Sequence, residues 1–190
     1  LKNVPSKISF LCESDFRKIV DFSDGTNDGN KNETERKCVN AFLFCCCTGL
    51  RYSDLCNLKQ SDIDFHSDEK WMEYHSPKTD KIIKVPLSLL FNGKALEIIS
   101  YYDNNILELN NLPSNALVDK YLLKARAKLG ISQRFSFHSA RHTYATMLLN
   151  LGVKITTVQK LLGHHDVRTT MKYCEVLDNT VIRELRSLKQ

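Results

Sequence analysis

Apolar residues recur at helical spacing along most of the chain, and this pattern predicts a mainly helical protein. Residues 32–48 are the most apolar of these stretches, and Gly49 directly after them is typical of a helix end. Residues 94–102 and 115–129 have the spacing of amphipathic helices. A further short helix near the N-terminus is expected to be capped by Ser14.

Between residues 63 and 85 the pattern changes to short runs of β-branched, aromatic and other apolar residues. Turn-forming residues at 66–70 and 77–81 separate three such runs, and Pro86 ends the last one. Residues 103–113 are predicted to be a loop, because Asp, Asn and Pro cluster there. The predicted fold class is therefore mainly α with a small antiparallel β-meander, an α+β domain.

Near the C-terminus the sequence predicts two helices in close succession and then a third. The first begins near His138 and ends before Gly152, and Thr156 with Gln159 is expected to open the second as a capping box. Helix, short turn and helix is also the order found in DNA-reading helix-turn-helix proteins. Residues 178–189 have apolar positions at helical spacing and predict an amphipathic tail helix.

The composition is that of a single globular domain, with 190 residues, 42% hydrophobic and 26% charged. No apolar run approaches the roughly 20 residues of a membrane span, so no membrane association is expected. The seven cysteines are odd in number and lack paired C-x-x-C units, which predicts reduced thiols and a cytoplasmic location. A net charge of +5 is only weak support for a nucleic-acid partner.

Candidate chemistry concentrates between residues 137 and 173. His138 and Arg141 lie one helical turn apart, so a helix places both on one face. The guanidinium of Arg141 offers a planar set of donors that matches a phosphate. His164 adds a second imidazole, and Tyr173 adds a hydroxyl that serves as a nucleophile when bases and cations surround it.

The order H-x-x-R, L-G-H and a tyrosine nine residues later resembles the catalytic domain of the tyrosine recombinases, the phage integrase family. Residues 48–55 (TGLRYSDL) resemble that family's first box, with Asp54 where the family usually has glutamate. Residues 78–81 (KTDK) resemble its lysine turn, in which Lys78 is the expected match and Lys81 the competing one. The resemblance covers about residues 10–188 and implies the tyrosine-recombinase catalytic-domain fold.

The resemblance also implies a catalytic set and its chemistry, without a metal or other cofactor. Tyr173 would attack the scissile phosphate of DNA and leave a 3′-phosphotyrosyl link, and Lys78 would protonate the leaving 5′-oxygen. His138 would serve as general base and also bind the phosphate. His142 is expected to be a core residue or a support for a neighbour. The implied set is Arg51, Lys78, His138, Arg141, His164 and Tyr173, in which the two arginines clamp the phosphate oxygens and His164 donates a hydrogen bond to it.

The family also implies a wider context for the chain. Residues 1–10 are expected to be a linker from a missing N-terminal DNA-binding domain, and residues 11–190 the catalytic domain. The complete protein would act on double-stranded DNA as a homotetramer, and this fragment by itself is expected to be monomeric. A mobile genetic element is the expected source of such a recombinase.

Two other functions are compatible with parts of the sequence. A non-catalytic DNA-binding regulator would use residues 139–163 as a helix-turn-helix, but it gives no reason for Arg51, Lys78 and Tyr173. A zinc protein would draw its ligands from the histidines and one cysteine, yet these lack a recognisable ligand spacing. The residues concerned are His138, His142, His164, His165 and Cys174.

Overall fold

The computed structural model describes residues 9–25, 32–65, 68–133 and 136–174. The predicted tail helix over residues 178–189 lies outside these ranges, as does nearly all of the predicted linker over residues 1–10. Nine α-helices and three strands form the described part. The helices are α1 (Glu13–Ser23), α2 (Glu33–Thr48), α3 (Tyr52–Cys56), α4 (Lys94–Tyr101), α5 (Ile106–Asn110), α6 (Asn115–Lys128), α7 (Phe137–Asn150), α8 (Ile155–Leu162) and α9 (Arg168–Met171).

Helix α2 is the centre of the core, and α1, α4, α5, α6 and α7 pack around it. Asn32 caps its first turn by accepting from the backbone N–H groups of Thr34 and Glu35. From Cys38 to Thr48 every residue of the helix is buried, which is why the sequence is apolar there on all sides. Gly49 ends the helix with a φ of 74°, as predicted.

The three strands are β1 (Ile63–Asp64), β2 (Trp71–Ser76) and β3 (Lys81–Pro86), and they form an antiparallel sheet in sequence order. Met72 pairs with Val85 and Tyr74 with Ile83, and these four side chains form the buried face. The predicted meander is confirmed. Helix α8 packs on β3, so the sheet is joined to the C-terminal helices rather than standing apart.

Local details of the helix ends differ from the sequence predictions. Cys12, not Ser14, is the N-cap of α1, and Ser14 lies inside the first turn. Helix α8 begins one residue before Thr156, with Lys154 as its N-cap and without a side-chain cap. Apolar spacing fixes which face of a helix is buried, whereas its first residue depends on how the preceding chain approaches.

A short helix, α5, lies inside the segment 103–113 that was predicted to be a loop. Ile106 and Leu109 are fully buried there, and the side chain of Asn105 caps the helix by accepting from the N–H of Leu107. Burial of these two side chains favours a helical turn despite the surrounding Asn residues. Within the described ranges, no helix is long and apolar enough to cross a membrane.

Candidate active site

One cavity of about 630 Å³ brings together every side chain predicted to be catalytic. Its walls come from the start of α3, the β2–β3 turn, the first two turns of α7 and the segment from the end of α8 to Tyr173. These elements are far apart in the sequence and meet because α7 packs on α2 while α8 packs on both α7 and β3. The six predicted residues that line it are Arg51, Lys78, His138, Arg141, His164 and Tyr173.

Arg141 is the most firmly held cation of the site. Its side chain is buried, and its guanidinium donates to the carbonyl oxygens of Gly49, at 2.7 Å, and Leu162. These two carbonyls stand at the C-terminal ends of α2 and α8, where helix dipoles place partial negative charge. Burial and the charge of Arg51 lower the pKa of Arg141, but a guanidinium stays protonated at neutral pH. The two bonds therefore fix a cation at the cavity wall.

Arg51 lies between the cavity and a buried acid. Its Nη1 donates to Asp54 Oδ2 and to Ser76 Oγ, both at 3.3 Å. Ser76 is fully buried and donates in turn to the other oxygen of Asp54 at 3.5 Å. Arg51 thus lines the cavity while it is paired with Asp54. Asp54 and Ser76 hold the arginine in position.

The β2–β3 hairpin carries the two lysines that compete for one predicted role, Lys78 in the turn and Lys81 as the first residue of β3. Lys78 lines the cavity. Lys81 donates instead to the backbone carbonyl of His164 at 3.3 Å, outside the set of side chains that line the cavity. His165 donates from Nε2 to the carbonyl of Thr79 at 2.8 Å. The turn is therefore tied to the segment that follows α8, and of the two lysines Lys78 is the one that faces the cavity.

His164 is buried and electrically neutral at pH 7. Its Nδ1 lies 2.8 Å from the hydroxyl of Thr170, which fixes the ring. Burial lowers the pKa of His164 to about 3, and the nearby charges of Arg141, Lys172 and Arg51 act in the same direction. A neutral imidazole with one nitrogen occupied by Thr170 can still donate from, or accept at, its other nitrogen.

Tyr173 is held inside the protein by a histidine for which the sequence predicted a core or supporting role. The tyrosine is 1% exposed, and its hydroxyl lies 3.1 Å from Nδ1 of His142. The ring of His164 stacks on its other side at 6.5 Å between centroids. His142 also contacts the ring of His138, with centroids 4.3 Å apart, because the two residues are one turn apart on α7.

The charges around the cavity make it strongly positive. Burial raises the pKa of Tyr173, and the cations Arg141 and Arg51 offset this only in part. Burial also lowers the pKa of His138, with further lowering from Lys172 and Lys78. Lys172 was not among the predicted site residues, although it directly precedes the tyrosine in the sequence; its Nζ lies 5.0 Å from the tyrosine ring centroid. An anionic ligand is the complement of such a cavity.

Three of the five residues named for a zinc site have other contacts here. His142 Nδ1 faces Tyr173, His164 Nδ1 faces Thr170, and His165 Nε2 donates to Thr79. Across the part of the chain that the structure describes, no group of three or more His, Cys, Asp or Glu side chains is arranged to hold a metal ion.

The mainly helical fold, its small sheet and this cationic cavity with a buried tyrosine define a domain of the tyrosine-recombinase catalytic type. The chain belongs to the phage integrase family, whose family model matches residues 9–180. This confirms the resemblance found in the sequence.

Curated relatives agree with this assignment. A tyrosine recombinase of Pseudothermotoga lettingae is 32% identical over 189 residues, which are 95% of this chain and 61% of the relative. Tyrosine recombinase XerA of Thermococcus onnurineus is 36% identical over 141 residues, 71% of this chain and 49% of the relative. The chain thus spans between about half and three fifths of the length of these two proteins.

Solved structures confirm the predicted fold class. A crystal structure of XerA recombinase superposes with a TM-score of 0.70 at 24% identity and covers 98% of this chain and 67% of that one. The XerH site-specific recombinase bound to palindromic difH substrate, in a post-cleavage complex, gives a TM-score of 0.75 at 18% identity over 98% of this chain and 55% of that one.

Proposed function

We propose that this chain is the catalytic domain of a site-specific DNA recombinase or integrase that cuts and rejoins DNA through a 3′-phosphotyrosyl intermediate. The observation that carries the proposal is the convergence of two arginines, a lysine, two histidines and a tyrosine on one cavity. Placing several cations at one point does not stabilise the folded domain, because like charges repel. A ligand with several negative oxygens explains the arrangement.

In this proposal the arginines bind the two non-bridging oxygens of the scissile phosphate. Arg141 is held from behind by two backbone carbonyls, and Arg51 by Asp54 and Ser76, so neither must reorganise when charge develops. His164 donates a hydrogen bond to the same phosphate. His138 lines the cavity and contacts the phosphate as well.

Tyr173 is the proposed nucleophile, and Lys78 the proposed acid. Attack of the phenolic oxygen on phosphorus breaks the bond to the 5′-oxygen, which takes a proton from the lysine. The energy of the broken bond is retained in the phosphotyrosyl link, so rejoining to a second strand needs no ATP. With this number of fixed donors around the phosphate, the proposed reaction needs no metal or other cofactor.

The proposed substrate is double-stranded DNA, and relatives support this choice. The XerH recombinase was captured on difH substrate and the Tn1549 transposon integrase on transposon right end DNA.

We further propose that the complete protein works in the cytoplasm as a homotetramer, recombines DNA of a mobile element and carries a separate DNA-binding domain. The chain's seven cysteines, which are all thiols, support a reducing compartment.

The alternative of a non-catalytic regulator is weaker, because a helix-turn-helix over α7 and α8 gives no reason for Arg51, Lys78 and Tyr173 to line the same cavity as Arg141. A regulator would also have no use for a tyrosine with a buried hydroxyl beside two histidines. The cationic cavity is therefore better explained by catalysis.

Covalent capture tests the proposed function without knowledge of the DNA site. The protein is incubated with a random-sequence library of nicked duplexes, in which cleavage releases a short fragment and traps the adduct. Adducts that survive detergent are sequenced, and the modified peptide is identified by mass spectrometry. We expect a DNA fragment on Tyr173 and no adduct with Tyr173→Phe, which keeps its DNA affinity. Specific DNA retention by both proteins without any adduct would instead favour the regulator.

A further inference from the structure

Tyr173 contacts His142, which is not one of the six residues predicted to be catalytic. The tyrosine hydroxyl lies 3.1 Å from Nδ1 of His142, and both side chains are buried. His138, to which the resemblance gives the general-base role, lines the open cavity, whereas His142 lies behind the tyrosine and outside the cavity lining. The hydrogen bond described for the tyrosine hydroxyl thus goes to His142 and not to the histidine expected from the sequence.

The attacking tyrosine has to lose its proton, and its surroundings make that loss unfavourable without a partner. Burial raises the pKa of Tyr173, and the positive charges of Arg141 and Arg51 do not fully offset the rise. A phenol in this setting stays protonated at neutral pH. A base in direct contact with the hydroxyl is therefore needed at the moment of attack.

His142 meets two requirements of such a base, because it contacts the hydroxyl and is unprotonated at pH 7. Burial lowers its pKa to about 4, and the neighbouring His138, Lys172 and Arg141 act in the same direction. The ring is therefore neutral at pH 7 and keeps an unprotonated nitrogen. Its other neighbours are the ring of Tyr173, at 5.3 Å between centroids, and the ring of His138, at 4.3 Å.

We propose that His142 is a catalytic residue that accepts the proton of Tyr173 as the phenolic oxygen attacks phosphorus. This rests on the proposed function of the site. The bond between phosphorus and the tyrosine oxygen forms as the bond between phosphorus and the 5′-oxygen breaks. The phenolic proton moves to Nδ1 of His142, and the 5′-oxygen receives a proton from Lys78. In the rejoining step both protons return, so the cycle is balanced.

This assignment gives the two histidines of α7 separate tasks. His138 lines the cavity and contacts the phosphate, whereas His142 accepts the proton of the tyrosine nucleophile. The arriving phosphate also brings negative charge among the cations that lower the basicity of His142. Binding of DNA therefore makes His142 a better base when the substrate is in place.

A first test needs no DNA and reads the position of a proton. Histidine labelled with ¹⁵N shows by NMR which ring nitrogen is protonated, and the His142 signal is identified by its loss in His142→Asn. We expect the proton on Nε2, with Nδ1 accepting from the tyrosine, and a change at His142 in Tyr173→Phe. A proton on Nδ1 would overturn the proposal, because that nitrogen would donate to the tyrosine and could not take its proton.

A second test separates proton transfer from positioning. The amide oxygen of His142→Asn can accept the tyrosine hydrogen bond in the place of Nδ1 but cannot hold a proton. With a DNA sequence selected by covalent capture, we expect His142→Asn to form adducts about 10²–10⁴-fold more slowly than the wild type. A near-normal rate would mean that His142 only positions the tyrosine.

A sulfur-substituted substrate distinguishes this base from the acid. A 5′-bridging sulfur leaves as a stable thiolate and needs no proton, so it should restore cleavage by Lys78→Ala and leave His142→Asn slow. Recovery of His142→Asn on the sulfur substrate would contradict the assignment. If the wild type itself forms no adduct, the proposed function fails, and the NMR measurement still decides whether His142 can accept the proton.

Discussion

Arg141 and Gly49 are joined by a hydrogen bond of 2.7 Å from the guanidinium to the backbone carbonyl, between the middle of α7 and the end of α2. The absence of a side chain at Gly49 allows the two helices to approach this closely. A Cβ on Gly49 would lie 2.6 Å from the ring of Tyr144, one turn after Arg141 on the same helix. Close contact between α2 and α7 at this point is therefore a condition for holding the arginine.

Arg141→Lys should impair both cleavage and stability although the charge is kept. A lysine cannot reach the carbonyls of Gly49 and Leu162 together, and it offers no planar pair of donors to a phosphate. We expect adduct formation to fall at least about 10²-fold, as when one preorganised donor is lost. Unfolding in urea should show a loss of about 2–4 kcal/mol, because two buried carbonyls lose their donor.

Arg168→Lys is the matched control for this change. The Arg168 side chain is 84% exposed and pairs with Asp166 on the surface. Exposed ion pairs contribute little, so the same substitution should leave stability and cleavage nearly unchanged there. Equal losses in the two variants would show that the buried carbonyl contacts of Arg141 do not matter.

Lys78→Ala and Lys81→Ala should separate the roles of the two lysines of the β2–β3 hairpin. Lys78 lines the cavity, so its loss should block cleavage of ordinary DNA and spare binding. Lys81 holds the backbone of His164 through its carbonyl, so its loss should slow the reaction less, and a sulfur leaving group should not restore it. Single-turnover rates on the oxygen and sulfur substrates measure both effects. Rescue of Lys81→Ala alone would reverse the assignment.

Gly163→Ala should destabilise the domain more than Gly130→Ala. Both glycines have a φ near 60°, at 65° and 61°, where an alanine is strained to a similar extent. Around Gly130 nothing lies within 4 Å of an added Cβ, whereas at Gly163 it would collide with the buried side chain of Ile83. We expect an additional loss of about 1–3 kcal/mol for Gly163→Ala in urea unfolding. Equal losses would contradict tight packing of α8 on β3.

Acid should destabilise the domain from about pH 6.5 downward. Burial lowers the pKa of His142 to about 4 and of His164 to about 3, while an unfolded histidine titrates near 6.5. In that window the unfolded chain binds protons that the folded chain does not, so the free energy of unfolding falls as the pH falls. Each of the two groups adds a slope of up to about 1.4 kcal/mol per pH unit.

Urea unfolding at a series of pH values measures this slope. The variant His164→Asn removes one of the two groups and should reduce the slope, and the double variant with His142→Asn should reduce it further. A wild-type stability that does not change between pH 7 and pH 5 would show that these rings are not held neutral in the folded protein.

Local patterns in the sequence were sufficient to predict most of the architecture. The apolar run before Gly49 and the alternation around β2 and β3 each reflect one physical cause, burial on all sides or on one face. The order of the motifs predicted which residues form the site. Helical spacing alone places only His138 and Arg141 on one face. Only the structure could decide which lysine faces the cavity, because Lys78 and Lys81 are three positions apart in one hairpin.

The contacts that hold the site could not be read from the sequence. The carbonyl of Gly49 reaches Arg141 across 92 positions of the chain, through the packing of two helices. His142 likewise carries the i, i+4 spacing from His138 that places both rings on one face of α7. Only the path of the chain after α9 decides which of those rings meets Tyr173.

The order of the site residues along the chain has a consequence for biosynthesis. Arg51 and Lys78 leave the ribosome before Arg141. The α8 carbonyl that helps to fix Arg141 follows, and Tyr173 is the last of the six predicted catalytic residues to emerge. In the proposed reaction, a chain released before residue 173 would carry part of the cationic cavity and lack the nucleophile. Translation order thus keeps unfinished chains of the proposed enzyme from cutting DNA.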